Sequence, residues 1–328
     1  YRIGMRLEHT LLDEAVAQAR WAINTGAAPE GAEIPDFEAL IFPGPLSNVM
    51  PDAVMMEAPT LEPIAITLSR SSASPWPQTV VCEEMGFYEQ VGLEVETVRS
   101  SSGRDAFSAM IGGAADIATV ALTPMVFAAF QEQPIAIIAE NGSNAANVIV
   151  ARKDAGIESA EDLRGKKIST TMGTDLHYFL DAFLAAYGMT EADVEVVNAP
   201  PNDHLTILQK GDVDAFAIWQ PHPYYAAQEL GDNALLLEAP EGTYEARYMM
   251  STMQDFLAEN PEAVERFLEA FKLASEWISA NPDETLALIA ADVGADVEVL
   301  EAYYFDNYRI GIRLEPTLLD EAVAQAEW

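Results

Sequence analysis

Hydroxyl side chains are concentrated in the stretch SRSSASPW, residues 69–76, between a predicted strand and a predicted helix. Backbone N–H groups at a helix start, together with the helix dipole, favour negative charge, so this loop is suited to an oxyanion. Arg70 can add a charge-assisted contact and Trp76 an apolar wall. A solvated loop with a serine N-cap, and a tryptophan packed in the core, are the alternative interpretations. The candidate contacts are Ser69, Arg70, Ser71, Ser72 and Trp76.

A second candidate site is TTMGTDLHYF, residues 170–179, where a predicted strand gives way to a predicted helix. Gly173 allows the backbone to approach a ligand closely, and Thr174 starts the helix. Asp175 would repel an anion unless its carboxylate turns away, or unless it pairs with a cationic ligand group such as an amine. His177 lies in the first turn of the helix, where a packed or exposed side chain is the alternative to a ligand contact.

Three further segments supply polar or aromatic candidates. TVALTP, residues 119–124, opens a predicted helix with a threonine as its expected N-cap. AIWQPHP, residues 217–223, offers an aromatic ring and an amide at a predicted strand end. NGSN, residues 141–144, precedes a predicted crossing between two lobes, and YMMST, residues 248–252, is predicted as the return crossing. The candidate contacts here are Thr119, Thr123, Asn141, Ser143, Trp219 and Gln220.

Predicted strands and helices alternate along the middle of the chain, a pattern typical of parallel sheets covered by helices on both faces. Two such runs, residues 63–146 and 148–246, predict two α/β lobes. The chain after Met253 is predicted to be almost entirely helical. Ligands of open α/β sheets bind beyond the carboxyl ends of the strands, so we expect the candidate residues to face a cleft between the lobes.

The chain is strongly acidic: 53 acidic residues against 17 basic ones give its 328 residues a formal net charge of −36. Such a surface should repel nucleic acid and anionic membranes. The acidic residues are dispersed and lysine is scarce, which favours a surface adapted to high salt, with an ordinary acidic extracellular protein as the alternative. The single cysteine, Cys82, excludes an intramolecular disulfide, and its predicted helical position indicates a half-buried apolar role.

Signals of catalysis are weak. The histidines lack the spacing of a zinc site, and neither a nucleophile elbow nor a Walker phosphate loop is present. We therefore expect no enzymatic activity, no metal and no cofactor. No apolar run approaches the roughly 20 residues that span a bilayer.

Residues 63–306 resemble the periplasmic substrate-binding proteins of ABC importers. The closest group is the nitrate/sulfonate/taurine type, which also includes proteins for pyrimidine precursors of thiamin. The resemblance rests on the order of several segments: SRSSASPWPQTVVCEEMGFYEQVGLEVE, DAFSAMIGGAADIATVALTP, VIVARKDAGIESAEDLRGKKISTTMGTDLHYFL and LQKGDVDAFAIWQPHPYYA. The string ESAEDLRGKKI is common among binding proteins, whereas GDVDAFAIWQP after GTDLHYFLDAFL is more specific.

The resemblance implies a two-lobed periplasmic-binding-protein fold of type II, with a helical C-terminal part. It also implies a non-catalytic protein, periplasmic or extracellular and either free or membrane-tethered, that delivers a small oxyanion to a permease. In the resembling proteins, the position of residues 173–174 binds an anionic head group. A heterocycle such as a thiamin pyrimidine precursor, stacked on Trp76 or Trp219, is the first alternative. The cysteine-rich stretch of the pyrimidine-synthesising relatives is missing.

The chain begins and ends with nearly the same segment. Residues 1–21 and 308–328 differ only at Met5 and Ile312, His9 and Pro316, and Arg20 and Glu327. By the resemblance, residues 1–42 look like a copy of the C-terminal helix and tail of a binding-protein unit. The expected division is then a copy (1–42), a linker (43–62), a first lobe (63–147 and 247–328) and a second lobe (148–246).

Three accounts of the repeated ends remain open. The chain is one unit of a tandem array, a circular permutant with overlapping ends, or a unit that carries a neighbour's segment. The three differences favour diverged repeats. In a binding-protein unit, the place of this terminal helix can hold only one copy, so the other copy must be exposed, fold away or dock on a neighbouring molecule. We expect the leading copy to occupy or share that place. An extracellular array or filament is a structural alternative to transport.

Overall fold

The structure is a computed structural model that describes residues 18–20, 62–72, 76–145, 147–301 and 308–328. The chain divides into two compact units, residues 1–62 and residues 63–328. Within the first unit, residues 18–20 are helical. The predicted copy at residues 1–42 and the predicted linker at 43–62 therefore lie almost wholly outside the described residues.

Two sheets and their covering helices build the second unit. The strands are β1 (Ile64–Ser71), β2 (Leu93–Ser100), β3 (Ile117–Ala121), β4 (Ile135–Asn144), β5 (Val148–Arg152), β6 (Lys167–Thr170), β7 (Glu195–Asn198), β8 (Ala215–Ala217), β9 (Ala234–Glu238), β10 (Ala246–Met253) and β11 (Tyr308–Arg313). The helices are α1 (Pro77–Met85), α2 (Phe87–Gln90), α3 (Gly103–Ile111), α4 (Leu122–Phe130), α5 (Asp175–Ala186), α6 (His204–Lys210), α7 (His222–Leu230), α8 (Gln254–Glu259), α9 (Pro261–Ala280), α10 (Pro282–Val293), α11 (Val297–Glu301) and α12 (Thr317–Glu327). Short 3₁₀ turns cover Lys153–Ala155, Ala160–Leu163, Glu191–Asp193, Pro201–Asp203 and Gly231–Asn233.

The first lobe contains a six-stranded sheet in the order β11-β4-β10-β3-β1-β2. Strand β1 runs parallel to β2 and β3, whereas β10 runs antiparallel to β3 and β4. The second lobe contains a five-stranded sheet in the order β7-β6-β8-β5-β9, in which β5 is antiparallel to both neighbours. The predicted two α/β lobes are confirmed. Each sheet is mixed, because the strand that enters it from the other lobe, β10 in the first sheet and β5 in the second, runs antiparallel to both of its neighbours.

The two lobes are joined by two crossings. The first lies between the end of β4 at Asn144 and the start of β5 at Val148. The second lies between the end of β9 at Glu238 and the start of β10 at Ala246. Residues 248–252, which we predicted as the return crossing, lie inside strand β10, shortly after the crossing itself. The long register of β10 with β4 holds this segment in the sheet of the first lobe.

Each lobe has its own apolar core. Helix α9 repeats buried residues at helical spacing, among them Phe267, Phe271 and Ala274, and this stripe packs with Leu68 of β1 and Val81 of α1. The core of the second lobe surrounds α5, whose buried apolar residues are Leu176, Phe179, Leu180, Phe183 and Leu184. These two cores share no residue, but a smaller apolar cluster packs Tyr224 and Tyr225 of the second lobe against Leu286 and Ile289 of the first.

The closing segment does not follow our prediction of almost continuous helix. Tyr308–Arg313 forms strand β11, which pairs antiparallel with β4, and only then does helix α12 begin. Its letters YRIGIR alternate between half-buried apolar residues and arginine or glycine, the pattern of a strand at a sheet edge. The strand exists because β4 offers it a backbone partner.

A buried ion pair ties the first sheet to helix α10. The fully buried Arg70 of β1 donates from Nη1 to Asp292 Oδ2 at 2.9 Å and from Nη2 to Asp292 Oδ1 at 2.7 Å. Arg70 Nη2 also lies 3.4 Å from Glu83 Oε2, so removing the charge of Asp292 leaves the buried guanidinium with only this more distant and partly exposed carboxylate.

We therefore expect Asp292→Asn to lower the free energy of unfolding by about 3–5 kcal/mol. Urea denaturation followed by circular dichroism measures the change. Asp283→Asn, at an exposed aspartate in the first turn of the same helix, is the matched control and should cost no more than about 0.5 kcal/mol. Equal effects of the two substitutions would show that the Arg70–Asp292 pair does not stabilise the fold.

Candidate functional site

A cavity lies between the two lobes. It encloses about 380 Å³ of space that no protein atom occupies, part of it open to solvent. Both lobes contribute to its lining, which consists of Trp76, Gly103, Arg104, Ala121, Pro124, Thr174, Asp175, Trp219 and Tyr248.

Four helices begin at this cavity. Helices α1, α3 and α4 follow strands β1, β2 and β3 of the first lobe, and α5 follows β6 of the second. The lining contains the N-cap residues of three of them, Trp76, Ala121 and Thr174, and the first residue of α3, Gly103. Each helix start offers N–H groups without partners in its own helix and the positive end of a dipole. Four such ends around one cavity make it a site for negative charge.

Trp76 presents a hydrogen-bond donor at the cavity. Its side chain is only 4% exposed, and its Nε1 has no hydrogen-bond partner among the described residues. The indole ring stands edge-on to Tyr248, with ring centroids 5.2 Å apart. Because a buried donor without an acceptor is costly, an acceptor atom in the cavity would stabilise this arrangement.

Arg104 brings a positive charge from the first lobe to the second. It is the second residue of α3, and its guanidinium donates from Nη1 to the carbonyl of Met172. Gly173 follows that carbonyl with a φ of +74°, a backbone conformation that favours glycine, and a Cβ there would be in ordinary van der Waals contact with Arg104 Nη1, 3.5 Å away. Arg104 is also 3.5 Å from Asp105. The guanidinium therefore lies at the junction of the two lobes, beside the cavity.

Asp175 is an acidic residue within this electropositive site. It is 7% exposed, and among the described residues no lysine or arginine forms an ion pair with it. Burial raises the pKa of Asp175 from 3.8 to about 7, although the backbone N–H groups of Asp175 and Leu176 donate to the carboxylate and act in the opposite direction. The carboxylate thus takes the same helix-start N–H groups that a ligand anion would use.

The serine and arginine residues of SRSS lie away from the cavity lining. Strand β1 extends to Ser71, beyond our predicted end at Ser69, because its pairing with β2 continues to Ser100. Arg70 is held by Asp292 outside the cavity lining, and its ligand contact stays a prediction. Ser72 follows the strand, and its hydroxyl donates to the carbonyl of Ser100 at 3.0 Å. Of the five candidates in this stretch, the structure brings only Trp76 to the cavity.

Four candidates of the first lobe are buried in the fold, and two of them, Thr119 and Asn141, have a side-chain oxygen without a hydrogen-bond partner among the described residues. Thr119 is buried inside β3. Thr123 is the second residue of α4 and not its N-cap, which is Ala121, and its hydroxyl donates to Gln325 Oε1 at 2.7 Å. The backbone carbonyl of Asn141 accepts from Gln78 at 2.6 Å, and the hydroxyl of Ser143 donates to Glu245 at 2.6 Å. The cavity lining includes none of the four.

In the second lobe, Thr174, Asp175 and Trp219 line the cavity as we expected. Gly173 lies beside it, against Arg104. His177 Nε2 pairs with Glu191 at 2.8 Å, and its ring packs on Trp328 with centroids 5.0 Å apart. Gln220 Oε1 accepts from the backbone N–H of Tyr224 at 3.3 Å. These two side chains have structural partners outside the lining.

The sequence analysis missed the lining residues Gly103, Arg104, Ala121, Pro124 and Tyr248. A signal for the first two was present, because SSSGR at residues 100–104 repeats the hydroxyl-and-arginine pattern of SRSS before a helix. Ser102 is the N-cap of α3 and accepts from Asp105 N at 3.1 Å. Tyr248 gave no local signal, since only the return of the chain into the first sheet brings it to Trp76.

The described residues lack the features of two other kinds of site. No group of three or more His, Cys, Asp or Glu side chains in them could hold a metal ion. None of their helices combines the length and apolar character needed to cross a bilayer. Cys82, the single cysteine, is fully buried in the first core, where its thiol donates to the carbonyl of Ala270 at 3.3 Å.

The sequence and the structure are both similar to those of known binding proteins. The profile of the NMT1/THI5-like family matches residues 78–285. A putative aliphatic sulfonates-binding protein of Bacillus subtilis is 27% identical over 237 residues, which are 70% of this chain and 68% of that protein. The taurine-binding periplasmic protein of Escherichia coli is 28% identical over 213 residues, 63% of this chain and 64% of that protein.

A solved structure shares the fold. The alkanesulfonate-binding protein SsuA of Xanthomonas axonopodis pv. citri, bound to MOPS, superposes with a TM-score of 0.72 at 20% identity, over 81% of this chain and 92% of that chain. The architecture is thus the two-lobed periplasmic-binding-protein fold, as predicted. Because the family profile matches 208 residues (285 − 78 + 1) of the 328, the chain belongs to the NMT1/THI5-like family.

The raised pKa of Asp175 makes stability depend on pH. Between about pH 4 and pH 7 the unfolded chain has released this proton while the folded chain holds it, so the free energy of unfolding falls as pH rises and levels off above about 7. We expect Asp175→Asn to be more stable than the wild type at pH 8, by on the order of 4 kcal/mol. Thermal unfolding at pH 4 and pH 8 tests this, with pH 4 as the internal control, where the two proteins should be alike. A difference that does not change with pH would contradict the assignment.

Proposed function

We propose that the chain is a non-catalytic solute-binding protein that holds a small oxyanion between its lobes and delivers it to an ABC importer. The proposed ligand is a sulfonate, a taurine-like compound or a nitrate-like anion. The observation that carries the proposal is the cavity at which four helices begin and at which the indole N–H of Trp76 has no partner among the described residues. An oxyanion offers several acceptor atoms to such a set of donors.

The strongly negative net charge does not prevent anion binding at this cavity. Backbone N–H dipoles act at contact distance, whereas surface carboxylates more than about 10 Å away are screened at physiological ionic strength. Arg104 adds a full positive charge at the junction of the lobes. Local donors therefore decide the sign of the ligand, and we propose that the acidic exterior is an adaptation to high salt.

The walls of the cavity favour an anion with a small organic part. Trp219 is 7% exposed, and Trp76 and Tyr248 are in edge-to-face contact beside it. Aromatic walls bind apolar groups, while the helix starts bind the anionic head. Relatives that are described as binding aliphatic sulfonates and taurine support the same ligand class. They also support a periplasmic or extracellular location and a permease partner for this chain.

Binding without catalysis is also supported by the position of the single thiol. Cys82 lies in the core of the first lobe, outside the cavity lining, and burial raises the pKa of its thiol far above the usual value. The one thiol of the chain is therefore not placed to act as a nucleophile at the cavity. A stacked heterocycle remains the second candidate ligand, because the two tryptophans of the lining offer ring faces to a planar compound.

Isothermal titration calorimetry with ethanesulfonate, taurine, nitrate and a free aminopyrimidine separates these candidates. Trp76→Phe keeps the ring but removes the N–H, so we expect it to weaken binding of the preferred anion about 10- to 100-fold. Trp277→Phe, at a half-buried tryptophan of α9 outside the cavity lining, is the matched control and should leave affinity unchanged. Binding of the aminopyrimidine with no binding of any anion would overturn the proposal.

The pH dependence of binding distinguishes a plain sulfonate from an aminosulfonate. Above about pH 7 the carboxylate of Asp175 ionises and repels an anion, so affinity for ethanesulfonate should fall by up to tenfold per pH unit there. Taurine also carries an ammonium group, which the ionised carboxylate would attract, so its affinity should hold or rise. Asp175→Asn should remove both trends. Identical pH profiles for the two ligands in the wild type would show that Asp175 does not contact the ligand.

A further inference from the structure

Strand β11 brings a tyrosine to the back of the cavity wall. Tyr308, the first residue of β11, stacks its ring on the ring of Tyr248, with centroids 6.0 Å apart and the planes at 11° to each other. Tyr248 lines the cavity and is in edge-to-face contact with Trp76. Tyr308 itself is not part of the lining. It therefore lies one ring behind the wall that a ligand would meet.

Hydrogen bonds join the hydroxyl of Tyr308 to the cavity wall and to the first crossing between the lobes. The hydroxyl of Tyr248 donates to the Tyr308 oxygen, and the side-chain amide of Asn144 donates to the same atom. Burial raises the pKa of Tyr308 to about 12, so its hydroxyl stays protonated around neutral pH. Asn144 is the last residue of β4, where the chain leaves for the second lobe. Tyr308 thus links Tyr248 to the point at which the lobes are joined.

The second lobe also contributes to the surroundings of Tyr308. Its ring packs against the small apolar cluster of Leu286 and Ile289 in α10, and Tyr224 and Tyr225 of α7 pack against the same cluster. Helix α7 follows Trp219 of the cavity lining closely in the chain. The ring of Tyr308 is therefore held by the sheet of one lobe and lies beside a helix of the other.

Gly142 makes room for the contact between the two tyrosines. In β4 it pairs with Tyr248 of β10 on one side and with Ile310 of β11 on the other. A Cβ at Gly142 would lie 2.8 Å from the carbonyl oxygen of Arg309 and 4.0 Å from Cδ2 of Tyr248. The first distance is too short for a real side chain, so only glycine lets β11 approach this closely. The approach places Tyr308 against Tyr248.

The indole of Trp76 depends on ring contacts for its orientation. Its Nε1 has no hydrogen-bond partner among the described residues, so no such bond fixes the direction of the N–H. Hydrogen bonds weaken steeply when the donor turns away from the acceptor. Tyr248, at 5.2 Å between centroids, is a ring that limits this rotation. A residue that fixes Tyr248 therefore also fixes the donor.

We propose that Tyr308 is a positioning residue of the anion site, and that it acts through Tyr248 to aim the indole N–H of Trp76 into the cavity. This inference rests on the proposed function, in which Trp76 donates to the ligand. Residues 308–328 thereby take part in binding, although the cavity lining contains none of them.

A double-mutant cycle measured by isothermal titration calorimetry with ethanesulfonate tests this role. Tyr308→Leu removes the stacked ring and the hydrogen bonds, so it should weaken binding about tenfold, whereas Tyr308→Phe keeps the ring and should weaken it about threefold. In the Trp76→Phe background, Tyr308→Leu should weaken binding less than about twofold, because the donor that it aims is gone. Loss of stability alone would act equally in both backgrounds.

Tyr187→Leu is the matched control. Tyr187 is a half-buried tyrosine at the end of α5, and its ring contacts Phe183 in the core of the second lobe. The same change of side chain there should leave affinity for ethanesulfonate unchanged. Circular dichroism checks that each variant is folded, and if Tyr308→Leu is not, the cycle is run with Tyr308→Phe.

The indole N–H resonance of Trp76 in nitrogen-15 NMR gives a readout that needs no ligand. The resonance is assigned by its loss in Trp76→Phe. Tyr308→Leu should shift it, because Tyr248 moves relative to the indole, and Tyr187→Leu should leave it in place.

The outcomes separate this inference from the proposed function. Equal losses of affinity in the two backgrounds, or an unchanged Trp76 resonance in Tyr308→Leu, would overturn the positioning role and leave Trp76 as the ligand donor. Failure of the wild type to bind ethanesulfonate or any other anion would instead overturn the proposed function. The resonance would still decide whether Tyr308 holds the indole.

Discussion

The parallel strands of each lobe end at a common cavity, and this shared edge positions every element of the site. A helix that follows a parallel strand must start at the carboxyl end of that strand, so its N–H groups and the positive end of its dipole face the same space. Three helices of the first lobe and one of the second begin there. The positive potential at the cavity is therefore a property of the topology more than of any single charged side chain.

The charged side chains near the cavity adjust this field. Arg104 extends from one lobe to the backbone of the other and strengthens the positive potential where the lobes meet. Asp175 opposes it, because its carboxylate accepts from the first N–H groups of α5. Desolvation keeps the energetic cost of ionising that carboxylate high. The carboxylate of Asp175 already binds the first N–H groups of α5. A ligand anion must share these groups or displace the carboxylate, so the preferred charge of the ligand is linked to the protonation of Asp175.

Outside the cavity, buried ion pairs join segments that lie far apart in the chain. Arg70 joins the first strand to a helix more than 200 residues later, and Glu140 gathers one arginine from β10 and one from β11. In each cluster the central buried charge has two partners, and the loss of one would leave it only partly compensated. Arg313 thus makes the edge strand specific, since backbone pairing alone would accept many sequences at the free edge of β4.

The sequence by itself determined the order of strands and helices, the two lobes, and the helix starts at Trp76 and Thr174. These features follow from two local patterns. One is the period at which apolar residues recur, and the other is the occurrence of glycine and hydroxyl residues within a few positions of each other. Only the tertiary structure decided that Arg70 faces Asp292, that Tyr248 and Arg104 join the cavity, and that YRIGIR pairs as a strand. Partners far apart in the chain leave no local mark, because a side chain's role depends on which group meets it after folding. In the sequence, an arginine at the end of a strand looks the same whether its partner in the folded protein is an aspartate or a ligand.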